Sequence, residues 1–145
     1  MNIVKATIEH LNNVYELICE LESEKLNKND FTQIYQDNIT NNDIHYLLAL
    51  DGSSVVGFAS LHIQKLLHHC AQIGEIQEIV VSKKQQNLGV GTILFNQIKE
   101  LAVLHNCLQL EVCCNLTREK SHQFYLKQGM SKSHYKFTYK LNSAI

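Results

Sequence analysis

The run from Val80 to Phe95, VVSKKQQNLGVGTILF, passes within a few residues from an apolar segment, through a polar turn with two glycines, into an amphipathic pattern. A change of that kind needs a buried strand that ends, a tight turn and a helix that begins. Gln86, Gly89 and Gly91 stand in the turn as Q-x-x-G-x-G. Glycine permits positive φ and close backbone approach to a ligand, and the first turn of a helix leaves amide donors without internal partners. Together these features form an anion cradle. Taken alone, the same glycines also suit a tight turn that needs them only for packing. A dinucleotide fingerprint would require G-x-G-x-x-G and an ATP-binding loop G-x-x-x-x-G-K-S/T, and the chain contains neither. Nucleotide hydrolysis is not expected.

Around this turn the chain reads as an α/β layout in a single domain, 1–145. NIVKA is strand-like, and Leu11, Val14, Tyr15, Ile18 and Leu21 then recur at helical spacing, with Thr7 placed to cap that helix. The polar segment NKNDFTQIYQDNITNND holds a second helix. IHYLLAL and SVVGFASLHIQ are strand-like runs joined by DGS, a hairpin signal, and IGEIQEIVV supplies a further strand. The helix after the glycine turn carries Leu94, Ile98, Leu101, Ala102 and His105 on one face, and the strand CLQLEVCC follows. Thr117 is placed to cap a helix that runs through Gln128 and stops at Gly129. SHYKFTYKL alternates as a closing strand. The order predicts a mixed sheet, antiparallel in its first half and parallel where helices cross over near the end.

Lys+Arg 13 against Asp+Glu 14 gives no basic excess, so a general nucleic-acid partner is not expected. The opening MNIVKATIEH lacks the apolar core of a signal peptide, and no apolar window has the length of a membrane span. Cys19, Cys70, Cys107, Cys113 and Cys114 are odd in number and lack the paired spacings of a zinc site or disulfide framework. They read as reduced, mostly buried thiols, which suits a cytoplasmic protein.

The strand GEIQEIVV, the Q-x-x-G-x-G turn and the later NLTREKSHQFYLKQGM together resemble the GCN5-related N-acetyltransferase family, whose pyrophosphate loop is usually written R/Q-x-x-G-x-G/A. The resemblance covers most of the chain. It implies that family's fold, a mixed central sheet of about seven strands flanked by about four helices, and acetyl-CoA as co-substrate. Gln86, Asn87, Leu88, Gly89, Val90, Gly91 and Thr92 would form the pyrophosphate loop, and Ile79, Val80 and Val81 would border the pantetheine arm. A backbone N–H near Val81 would polarise the thioester carbonyl. Asn115 would contact the arm or the loop.

Acetyl transfer to an amine requires a base for the ammonium and benefits from an acid for the thiolate. By the resemblance Glu78 is the candidate base, acting through water, and Tyr125 the candidate acid. Glu75 and Gln77 would face away from Glu78 in a regular strand, although the family commonly has a bulge there. The alternative roles are a bond from Glu78 to the neighbouring strand and core packing for Tyr125.

Within the family, LHIQKLLHHCAQIGEIQEIVV, SHQFYLKQGM and SHYKFT are similar to the aminoalkylphosphonate N-acetyltransferases, enzymes whose activity has been linked to a divalent metal. An anionic acceptor calls for donors and positive charge. His62, Lys65, His68, His69 and His134 are the substrate-binding candidates, with no metal site assigned: His68 and His69 are adjacent and would face opposite sides of a strand. An aminoglycoside or polyamine would instead want carboxylates, and the dense acidic cluster ELESE reads as a solvated helix end. The reading is therefore a small-molecule amine acetyltransferase. Acetylation of an aminoglycoside, a polyamine or a protein N-terminus, or a non-catalytic CoA-binding module, are the alternatives, and a homodimer through the last strand is an expected assembly.

Overall fold

The apolar and alternating runs become strands in the computed structural model, which describes residues 1–142. Contacts divide the chain into two compact units, Met1–Val112 and a second that begins at Cys113.

In the first unit β1 (Asn2–Lys5), β2 (Ile44–Asp51), β3 (Ser54–Leu66), β4 (Ala71–Val81) and β5 (Cys107–Val112) form one sheet in that order. The first three pairings are antiparallel and β4–β5 is parallel, as a helical crossover requires. The DGS turn joins β2 to β3 with Gly52 at φ 62, in the left-handed region.

α1 (Leu11–Glu22) and α2 (Lys28–Ile39) cover one face, where Val14, Leu17, Ile18 and Tyr35 pack with Tyr46, Leu48, Phe58 and Val80 of the sheet. Asn27 starts α2 by accepting the Asp30 N–H at 2.9 Å. α3 (Val90–Leu104) spans the β4–β5 crossover and buries Val90, Leu94, Phe95, Ile98 and Ala102. Thr7 leads not into α1 itself but into a 3-10 turn, Ile8–His10, that precedes it, and its N–H donates to His10 Nδ1 at 3.0 Å.

In the second unit α4 spans Glu119–Lys127. Gly129, at φ 94, stops it, with the Met130 N–H bonded back to the Tyr125 carbonyl at 3.1 Å. Thr117 does not cap this helix: its N–H and hydroxyl both donate to Asn115 Oδ1, closing a turn before the helix begins.

Three expectations are corrected. The sheet has five strands among the described residues, not seven. SHYKFTYKL is not a strand: Tyr135, Phe137, Tyr139 and Leu141 share one side of the alternation and stand 82–94% exposed. Alternation selects which side chains share a face, but a strand also needs a hydrogen-bonding neighbour. The five cysteines are free but none is buried, with Cys70 and Cys113 exposed and the others intermediate. Among the described residues no helix is long and apolar enough to cross a membrane.

One polar atom in the first unit lacks a partner. His45 Nε2 is buried without a hydrogen bond, beneath a ring contact of 4.4 Å with His105. Burial lowers the His45 pKa below 6.5, His105 and Lys5 lower it further, and Asp43 and the Asn42 backbone oppose them. The neutral ring is therefore the folded form. Its stabilisation is complete above about pH 6.5 and is lost as pH falls below that value. Calorimetry should show Tm dropping as pH falls below 6.5, and dropping less in His45→Phe; equal drops would remove His45 as the cause.

Candidate active site

Between β3 and β4 the pairing steps from Ala59↔Ile79 to Leu61↔Ile76. Ser60 on one strand thus faces both Gln77 and Glu78 on the other, a two-against-one bulge. The bulge cancels the alternation that would have sent the two side chains to opposite faces. Both line one cavity of about 370 Å³. Gln77 Nε2 also donates to Glu75 Oε1 at 2.6 Å.

Ser60 is fully buried. Its hydroxyl donates to Glu78 Oε1, and its oxygen accepts the Glu78 N–H at 3.0 Å. This two-way bond holds the carboxylate against the sheet and leaves its second oxygen for other partners. Glu78 therefore does bond the neighbouring strand, as one sequence reading allowed, while it also lines the cavity.

α1 and α2 roof the cavity with Val14, Ile18, Phe31, Ile34, Tyr35 and Asn38, and Leu26 adds to the roof between them. Tyr46, Phe58 and His62 complete the sheet side. The rings form a contact chain, Tyr35–Tyr46 at 5.4 Å and Tyr46–Phe58 at 5.2 Å between centroids. Asn38 Nδ2 donates to the Tyr46 hydroxyl at 2.7 Å, which leaves that hydroxyl's own proton to donate elsewhere. Burial raises the Tyr46 pKa; the Asn38 bond opposes the shift and the charge of Glu78 adds to it.

The pairing of β4 with β5 ends at Ile76↔Val112, while its pairing with β3 continues to Val81↔Gly57. From Gln77 to Val81 the other edge of β4 meets no strand among the described residues. An extended ligand can use such an edge for main-chain hydrogen bonds. Past Val81 the Ser82 N–H donates to Val56 O at 2.8 Å and the Gln86 side chain donates to Val81 O at 3.2 Å. Asn87 at φ 65 and Gly89 at φ 84 then turn the chain into α3. A Cβ on Gly89 would meet nothing within 4 Å, so its dihedral rather than close packing calls for glycine. Leu88 is exposed, which keeps the turn open to a ligand. Glu20, at the acidic end of α1, accepts the Lys83 N–H at 2.9 Å and ties this turn to that helix.

In the second unit Tyr125 lies half-buried beside Phe124, edge to face at 5.3 Å. Burial raises its pKa well above 10, the charge of Cys114 adds to the shift and Arg118 opposes it. The phenol stays protonated near neutral pH. The Asn115 side chain is engaged by Thr117, and its carbonyl accepts from His122 Nε2 at 2.8 Å.

Of the acceptor-side candidates only His62 joins Glu78 in the cavity. Lys65 lines a separate hollow with Leu67, Cys70 and Gln72. The His68 and His69 rings contact each other at 4.3 Å, and His69 Nε2 lies 3.8 Å from a Glu111 carboxylate oxygen. His134 belongs to the second unit, where Ser133 engages its ring at 2.6 Å. Among the described residues no three His, Cys, Asp or Glu side chains group as a metal ion would require. Sequence reasoning passed over Ser60, Asn38 and Tyr46. Ser60 carried a signal, a lone hydroxyl inside the otherwise apolar run VVGFASL. Asn38, in a polar helix, carried none.

The open β4 edge thus runs into a glycine turn, with a carboxylate held at a bulge in the same strand. Residues 11–130 match the acetyltransferase (GNAT) family. The chain belongs to that family. It is 39% identical to the aminoalkylphosphonate N-acetyltransferase of Salmonella typhimurium, over 92% of this chain and 86% of that protein. It is 27% identical to the glucosamine 6-phosphate N-acetyltransferase of Candida albicans, over 63% of each. A transcriptional regulator from Bacillus halodurans C-125 shares the fold, with a TM-score of 0.88 at 16% identity over 97% of this chain and 99% of that one.

Proposed function

We propose that the chain moves an acetyl group from acetyl-CoA to the primary amine of a small aminoalkylphosphonate, by direct attack in a ternary complex. One observation carries the reading most directly: the bulge turns Glu78 into the cavity, on the strand whose next residues leave an open edge. The 39% identical relative supports the acceptor. The whole chain, 1–145, acts in this reading as one acetyltransferase domain in the cytoplasm.

Gln86 to Thr92 hold the pyrophosphate through backbone amides, and Ile79, Val80 and Val81 pair with the pantetheine arm. Asn115 assists by shaping its turn. Glu78, through a water, takes the proton from the acceptor ammonium. The free amine attacks the thioester carbon, the carbon–sulfur bond breaks as Tyr125 gives its proton to the departing thiolate, and the extra proton on the new amide nitrogen leaves through solvent, which reprotonates the phenolate. A phenol held above the usual tyrosine range remains a donor throughout the working range. His62 supplies a donor to the acceptor anion.

Steady-state release of CoA thiol tests both roles. Glu78→Gln should lower kcat about 10²- to 10⁴-fold, and Tyr125→Phe should lower it without weakening CoA binding. The wild-type kcat should show no loss from tyrosine ionisation up to about pH 10. An unaltered rate in either variant removes that residue's role, and CoA binding without turnover of any amine would favour a CoA-binding module.

The homodimer belongs to the same reading. Tyr135, Phe137, Tyr139 and Leu141 are exposed large side chains that a second copy would bury. Light scattering should give twice the chain mass, and Phe137→Lys with Tyr139→Lys should give the monomer mass; a monomeric wild type would refute the assembly.

A further inference from the structure

We propose that the acceptor cavity takes an amine bearing a sizeable apolar substituent, a 1-aminoalkylphosphonate with a branched, extended or aromatic side chain rather than the smallest members of the class. The inference rests on the acetyltransferase reading above and concerns what else the acceptor must carry.

The cavity divides by chemistry. Polar groups line the sheet side, where Glu78 meets the amine: Gln77 shares the bulge with Glu78, and His62 stands opposite Glu75, two register steps toward the start of β4. The roof is apolar: Val14, Ile18, Leu26, Phe31, Ile34 and the ring of Tyr35. Asn38 is the polar member of the roof, and its Nδ2 donates to the Tyr46 hydroxyl, which keeps its own proton to donate. Among the described residues no lysine or arginine lines the cavity. An acceptor that is all ammonium and phosphonate would strip water from this wall and return nothing to it, because apolar surface is stabilised only by apolar contact. The cavity's 370 Å³ lies in the roughly 300–1,000 Å³ range of sites that enclose larger organic ligands. A one-carbon acceptor would leave uncovered the part of that wall not already buried, at Leu26, Phe31 and Ile34.

The test is kcat/KM across two matched series: aminomethyl-, 1-aminoethyl-, 1-aminopropyl-, 1-aminobutyl- and 1-amino-2-phenylethylphosphonate, and the corresponding amines without phosphonate. The structure calls for a rise approaching fourfold per methylene in whichever series is turned over. A flat or falling series overturns the proposal even if aminomethylphosphonate is a good substrate. Turnover confined to the plain amines would refute the phosphonate reading while still testing the wall. If no amine is turned over, calorimetric affinities for the same compounds must show the same trend, or the proposal fails. Ile34, 59% exposed, can be changed without emptying the core. Ile34→Ser should lower the ratio of the 1-aminobutyl to the aminomethyl compound at least about threefold. An unchanged ratio would mean that the roof does not touch the acceptor.

Discussion

The bond between Ser60 and Glu78 organises the site. A regular antiparallel ladder would place one residue of β4 opposite Ser60; the chain places two there, and the hydroxyl satisfies both the backbone N–H and the carboxylate that the irregularity leaves over. A buried hydroxyl with both its donor and acceptor used, and a carboxylate with one oxygen fixed, is a pair in which neither partner can be removed without exposing an unsatisfied group. Glu78 owes its orientation to this pair, and the cavity owes it one wall.

In the proposed reaction the same strand serves both substrates. On one edge β4 follows β3 through the bulge to Val81, and on the other it parts from β5 after Ile76. A sheet that gives up pairing at one edge normally exposes an aggregation-prone template. Here the open stretch ends at the glycine turn that starts α3, so the unpaired groups are those an extended ligand with an anionic end would satisfy. The acceptor side is of the opposite character, an apolar roof from α1 and α2 over a few polar atoms.

Much of the layout was legible in the sequence. The apolar stripe of α1, the DGS hairpin, the period change at Val80–Phe95 and the Gly129 stop each express a local constraint, and each appears in the structure. What failed depended on partners. The alternation in SHYKFTYKL assigns faces without supplying a neighbouring strand, and Thr117 lost its capping role to the side chain of Asn115 two residues earlier. The bulge is a property of register between strands and has no local signature, so Gln77 could not be placed beside Glu78 from periodicity alone. Lys65 and the paired histidines cluster in sequence beside β4, but of the acceptor candidates only His62 lines the cavity with Glu78.

If Ser60 acts through Glu78, the two must be coupled in turnover. The decisive measurement is a double-mutant cycle on kcat with Ser60→Ala, Glu78→Ala and the pair. The account predicts that Ser60→Ala slows the wild type but slows Glu78→Ala no further, because the carboxylate it orients is already gone. Independent, multiplying losses would contradict it and leave Ser60 as a packing residue.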